Sequence, residues 1–119
     1  MHNFKELNCW KEAKDFSVIV YKITSKIPSS EIYGITSQIK RAAVSIPSNI
    51  AEGCGRQTSK DTLRFLHISR GSLYELETQY YLALDQKYID INSFNVAFEQ
   101  IQICKKLING FINYYKNKI

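Results

Sequence analysis

The amino-acid sequence predicts an all-α protein, an antiparallel up-down-up-down four-helix bundle whose second helix is kinked at Pro47. Three observations carry that expectation. Four segments repeat apolar residues at alternating spacings of three and four, the period of helices packed along a seam. The connections between them are short, which favours antiparallel neighbours. No segment alternates with period two, and valine is scarce. At 119 residues, residues 1–119 form one domain, large enough to bury a core.

The first helix is expected to carry Cys9, Ala13, Phe16, Val20, Ile23 and Ile27 inward, with Asn8 as N-cap and Pro28 as its end. The preceding seven residues and the last few are expected to fray. The second helix runs from about Ile35 to Cys54. Proline in a helix interior removes a hydrogen bond at a cost of about 3 kcal/mol. Ile35, Ile39, Ala42, Ala43, Ile46 and Ile50 nevertheless keep one phase across Pro47, so a bent helix is expected rather than two. Pro47 also frees the carbonyl of Ala43 for a nearby Ser or Asn. Gly53 and Gly55 would permit a positive-φ exit.

The third helix is expected from about Thr58 to Lys87, with Leu66, Ser69, Leu73, Leu76, Tyr80 and Ala83 on its buried stripe. Thr58 and Asp61 resemble a capping box, with Asp shorter than the usual Glu. The fourth helix follows a turn at Tyr88 to Asn92, capped by Asp90 or Asn92. It buries Phe94, Ala97, Ile101, Cys104, Ile108, Phe111 and Tyr115.

Composition narrows the function classes. No apolar run reaches the length of a membrane span, and the N-terminus has no signal-peptide core. Cys9, Cys54 and Cys104 form no CxxC pair, which points to three reduced, buried thiols in a cytoplasmic protein with no metal and no cofactor. His2 sits on a terminus expected to be flexible, and His67 on a mixed face of the third helix. Glu75 and Glu77 diverge by about 200° on a helix and make no paired-carboxylate site. Gly53-x-Gly55 is too short for a nucleotide fingerprint. A catalytic role is not expected.

The charge pattern is more telling. Residues 40–70 hold Lys40, Arg41, Arg56, Lys60, Arg64 and Arg70 against Glu52 and Asp61, a balance of +4. Residues 71–104 hold Glu75, Glu77, Asp85, Asp90 and Glu99 against Lys87, a balance of −4, and the tail from Lys105 adds four cations. Lys60, Arg64 and His67 step by four and three along one helix face, and Arg70 extends that stripe. Arg56 precedes the helix N-terminus, where free N–H groups favour an anion. Arginine forks suit phosphate oxygens, so Lys40, Arg41, Arg56, Lys60, Arg64 and Arg70 are the candidate nucleic-acid contacts. The competing reading is a solvated face, or one that pairs with the acidic part of another subunit.

The Ser48-to-Gly53 run is either a structural accommodation of the proline or a ligand site. Eight tyrosines, with pairs at Tyr80-Tyr81 and Tyr114-Tyr115, exceed what one core can bury. With Gly71 in mid-helix they point to self-association.

The run from Tyr33 to Arg56 (YGITSQIKRAAVSIPSNIAEGCGR), with Phe65-to-Ser72, Glu75-to-Gln79, and Trp10 with Ala13, resembles a known family. It is that of the small four-helix-bundle proteins encoded by intervening sequences in bacterial 23S rRNA genes. Their relatives include the accessory proteins of diversity-generating retroelements. The resemblance implies a ring of identical subunits, typically five, with no established catalytic activity. It also implies contact with RNA or DNA, and with a protein partner such as a reverse transcriptase, through basic surfaces. One departure is Gln86-Lys87-Tyr88, where the family often has glycine before the tyrosine, which bears on the last turn.

Overall fold

A computed structural model describes residues 3–119. His2 lies outside the described residues. The chain forms α1 (Asn8–Thr24), α2 (Ile35–Cys54), α3 (Ser59–Asp85) and α4 (Ile91–Lys116), with 3-10 turns at Phe4–Glu6 and Ser29–Glu31. No strand occurs among the described residues.

The entry to α1 differs from the expected one. Residues 4–6 are not frayed: Asn3 caps their 3-10 turn by accepting from the Lys5 N–H at 3.2 Å, and Phe4 packs edge-on against Trp10. The turn delivers Leu7, in extended conformation, as the N-cap, and Asn8 becomes the first helical residue. α1 ends at Thr24, ahead of Ile27 and Pro28. The hydroxyls of Thr24 and Ser25 there donate to the carbonyls of Tyr21 and Lys22, an alternative to continuing the helix.

α2 passes through Pro47 without interruption. The carbonyl that Pro47 leaves without a helical donor, that of Ala43, accepts instead from the Ser17 hydroxyl of α1 at 3.2 Å. The residue that satisfies it comes from a neighbouring helix rather than from Ser48 or Asn49.

The exit from α2 also differs. No described glycine has positive φ, and Gly55 sits at −84°. Gly53 is small for another reason. A Cβ there would stand 3.2 Å from both Phe65 Cβ and the Thr62 carbonyl, so α3 packs directly on its backbone. Thr62 donates to the Gly53 carbonyl at 2.8 Å, Ser69 to the Ile46 carbonyl at 2.8 Å, and Ser45 and Ser72 share a hydrogen bond of 2.8 Å. Down this seam the α2 numbers fall as the α3 numbers rise. Asn49 donates back to the Ser45 carbonyl and hydroxyl.

Thr58 caps α3 by accepting from the Asp61 N–H at 3.1 Å. α3 stops at Asp85 in a Schellman arrangement: the Lys87 N–H reaches Leu84 and the Tyr88 N–H reaches Ala83, both at 2.9 Å. Lys87 occupies the left-handed position, φ 62°, that this closure requires. Of the two caps open for α4, Asp90 serves, accepting from the Ser93 N–H at 2.7 Å.

Each helix packs on its chain neighbours, and α4 closes back on α1. Among the described residues the backbones of α1 and α3 do not approach one another, nor do those of α2 and α4, so each of these pairs lies diagonally across the core. Phe16, Ile39, Ile46, Ile50, Leu66, Leu73, Leu76, Tyr80, Ile101 and Ile108 fill the interior.

Candidate nucleic-acid interface

The functional geometry gathers where α2 ends and α3 begins. Arg56 leaves α2 just beyond Gly55, and Arg64 lies on the second turn of α3. Their guanidinium carbons sit 4.4 and 4.7 Å from the centroid of the same ring, that of buried Phe65. Asp61 lies within 3.2 Å of Arg64 and 3.9 Å of Arg56, and Glu52 within 3.8 Å of Arg56. The Asp61 carboxylate thus orients both arginines rather than completing a capping box with Thr58. Such exposed pairs contribute only about 0–1 kcal/mol each, so a phosphate competes with them readily.

Three grooves of about 460, 370 and 330 Å3 adjoin here, and Thr58, the N-cap of α3, lines all of them. Lys60, Arg64 and His67 line the largest. Arg56 lines the other two, and Lys118 of the C-terminal tail joins it in the smallest. The grooves flank the N-terminus of α3, the positive end of the helix dipole.

On the α4 side, Arg70 donates to Asn109 Oδ1 at 3.0 Å and to His67 Nδ1 at 3.1 Å. Arginine only donates, so Nδ1 accepts and the imidazole is neutral with its proton on Nε2. Burial, then the charges of Arg70 and Lys116, push the His67 pKa below its ordinary value. Tyr114, Tyr115 and Lys118 share the smallest groove with Thr58, Ser59 and Thr62, which places the end of α4 beside the start of α3.

The six candidate residues do not share one face. Arg56, Lys60 and Arg64 come together. Six residues of helix rotate Arg70 about 120° from Arg64, which turns it toward α4. Arg41 lies farther along α2, bonded to Gln38 and 3.6 Å from Glu75. Lys40 stands on the α1 side, over the Tyr21 ring at 4.9 Å. Lys118, which lines the smallest groove, was not among the candidates read from the sequence. The basic tail was visible as a charge run, but its destination depends on how α4 packs.

Among the described residues no group of three His, Cys, Asp or Glu side chains is placed to hold a metal ion. Burial pushes the Cys9 and Cys104 thiols up to about 12 and raises Cys54 as well, so all three are poor nucleophiles. No helix among the described residues is long and apolar enough to cross a membrane.

The chain is similar in fold to the crystal structure of a protein of unknown function from the S23 ribosomal protein family of Bacteroides thetaiotaomicron. The TM-score is 0.81 at 21% identity, over 87% of this chain and 97% of that one. No curated protein matches the chain significantly. The family model described as 23S rRNA-intervening sequence protein matches residues 5–110, nearly the whole helical body described above. The chain therefore belongs to the 23S rRNA-intervening sequence protein family.

Proposed function

We propose that this is a non-enzymatic bacterial protein of the cytoplasm that forms a ring of identical subunits, five by resemblance, and binds structured RNA or other nucleic acid. On this reading the fold is an antiparallel up-down-up-down bundle with α2 bent at Pro47. The inverse register of α2 against α3 supports that topology. The observation that carries the function is the convergence of Arg56, Lys60 and Arg64 with Lys118 around the N-terminus of α3. Two basic stretches far apart in sequence meet there, with Glu52 and Asp61 as local counter-charges. Guanidiniums held against an aromatic ring are pre-oriented for phosphate oxygens. A reverse transcriptase or other protein partner, which the resemblance implies, would meet the same basic end.

The second reading, arginines that join subunits, is favoured by one observation: residues 71–104 carry a balance of −4 that the basic region of another copy could meet. Both readings are separated by measuring anisotropy of a labelled RNA hairpin across a salt series, alongside light scattering. Phosphate contact predicts a steep salt dependence that Arg56→Gln and Arg64→Gln each flatten by about one unit. Lys40→Gln and Arg41→Gln, on other faces, should leave the slope unchanged. Unaltered RNA affinity with loss of the oligomer would make the arginines subunit contacts and overturn the nucleic-acid reading.

A further inference from the structure

The largest groove at the start of α3, about 460 Å3, differs in kind from the adjoining one of about 370 Å3. Gly55, Arg56, Gln57, Thr58 and Asp61 line the smaller, a polar setting suited to a phosphate. The larger adds Leu63 and the ring of His67 to a cationic rim of Lys60 and Arg64. Thr58 and Asp61 border both, so the two grooves are contiguous. Arg64 engages Asp61 there at 3.2 Å, which offsets the carboxylate charge.

The His67 ring is exposed, yet it is held in place. Arg70, itself bonded to Asn109 of α4 at 3.0 Å, grips its Nδ1 at 3.1 Å. That anchor takes one edge of the ring, and among the described residues no aromatic ring stacks on its face. A fixed aromatic face beside an apolar floor contributes nothing to holding a phosphate, whose oxygens seek donors and cations. It suits a nucleobase, whose flat face stacks on aromatic side chains once it has left a helix. In duplex RNA the bases stack on one another, and a protein meets mainly backbone and a shallow minor groove.

We propose that this groove holds one unpaired base of an RNA strand or loop, stacked on His67 above Leu63. The flanking phosphates then lie on Arg64 and Lys60 and, across Thr58, on Arg56. This rests on the nucleic-acid reading above and names its class of ligand, RNA with unpaired nucleotides rather than the side of a duplex. A structured RNA meets the site with a loop, not with its stem.

The test measures anisotropy of two labelled RNAs, an unstructured single strand and a blunt-ended duplex with the same number of phosphates. Both are titrated at one salt concentration and at a pH where His67 is neutral. The wild-type protein should hold the strand more tightly than the duplex. His67→Ala should weaken the strand about fivefold or more and leave the duplex unchanged. His67→Phe, which keeps a ring without the imidazole nitrogens, should recover the strand. Position 67 is exposed, so both variants should keep the wild-type circular dichroism. A duplex bound as tightly as the strand, no loss in His67→Ala, or a loss that His67→Phe does not recover would each overturn this inference and leave the nucleic-acid reading standing. Binding of neither RNA would remove that reading and this inference with it.

Discussion

Ser17 on α1 stands 3.2 Å from the carbonyl oxygen of Ala43 on α2, the acceptor that Pro47 deprives of its helical donor. The same hydroxyl lies 3.1 Å from the Ala13 carbonyl of its own helix, so one proton is shared between two acceptors. The proline and the serine are therefore a single structural unit spread over two helices.

Ser17→Ala should destabilise the protein by about 1–2 kcal/mol, because it orphans a part-buried carbonyl. Pro47→Ala restores the backbone donor, so the same serine substitution should cost markedly less in that background. Urea unfolding of the four proteins of this cycle measures the difference. Equal costs in both backgrounds would show the two residues to be independent.

Gly53→Ala forces a methyl to within 3.2 Å of Phe65 Cβ and of the Thr62 carbonyl, both fixed on α3. Overpacking of that kind should cost about 1–3 kcal/mol. Gly71→Ala meets open space and should stabilise the isolated subunit by about 1 kcal/mol. Thermal melts of the two alanine variants in opposite directions would bear this out; a shift of the same sign in both would not.

Lys87 holds a left-handed conformation, φ 62°, at the close of α3. For a residue with a Cβ that conformation costs about 1–2 kcal/mol. Lys87→Gly should raise stability by about 0.5–1 kcal/mol once the extra freedom of unfolded glycine is set against it. Lys87→Val, β-branched, should lower it. Calorimetry on the two variants decides the matter, and a drop in melting temperature for the glycine would refute it.

His67 is held below its ordinary pKa by burial and by Arg70 and Lys116. The folded chain thus binds a proton less readily than the unfolded one. Its contribution to stability is complete above about pH 6.5 and is lost as pH falls below that value. A phosphate bound beside it reverses the preference and favours the imidazolium. RNA affinity should therefore rise as pH drops from 7.5 toward 5.5, in the same window where the free protein weakens (roughly one unit either side of the ordinary histidine value). Proton NMR of the imidazole with and without RNA reports the shift directly. Loss of the pH dependence in His67→Asn is expected, and its persistence would assign it elsewhere.

The buried stripes were legible because period three-four repeats state which side of a helix is wet. Phe16, Ile46, Leu73 and Ile108 fall inside as their spacing requires. The caps at Thr58 and Asp90 were readable because each needs only a bond to a backbone N–H three residues on. What escaped the sequence depends on atoms from elsewhere in the chain. Gly53 looked like a conformational hinge, yet its smallness answers to Thr62 and Phe65. The donor for Ala43 proved to be Ser17, 26 positions away. The cationic residues divided among faces because steps of three and four accumulate rotation, and Lys118 joined Arg56 only through the packing of α4. Asn8 lost its capping role to Leu7 because the Phe4–Glu6 turn sets where the chain enters the helix.

The three buried thiols supply the molecule with its own clock. Cys9, Cys54 and Cys104 report from α1, α2 and α4, and none is ionised at neutral pH while it stays enclosed. A thiol reagent gains access only during an opening, so the labelling rate of each cysteine counts how often its helix comes away. Cys54 lies one residue from Gly55 and two from Arg56, so its rate times the fluctuations of the α2 exit itself. A ligand that quiets that exit would slow Cys54 more than the other two.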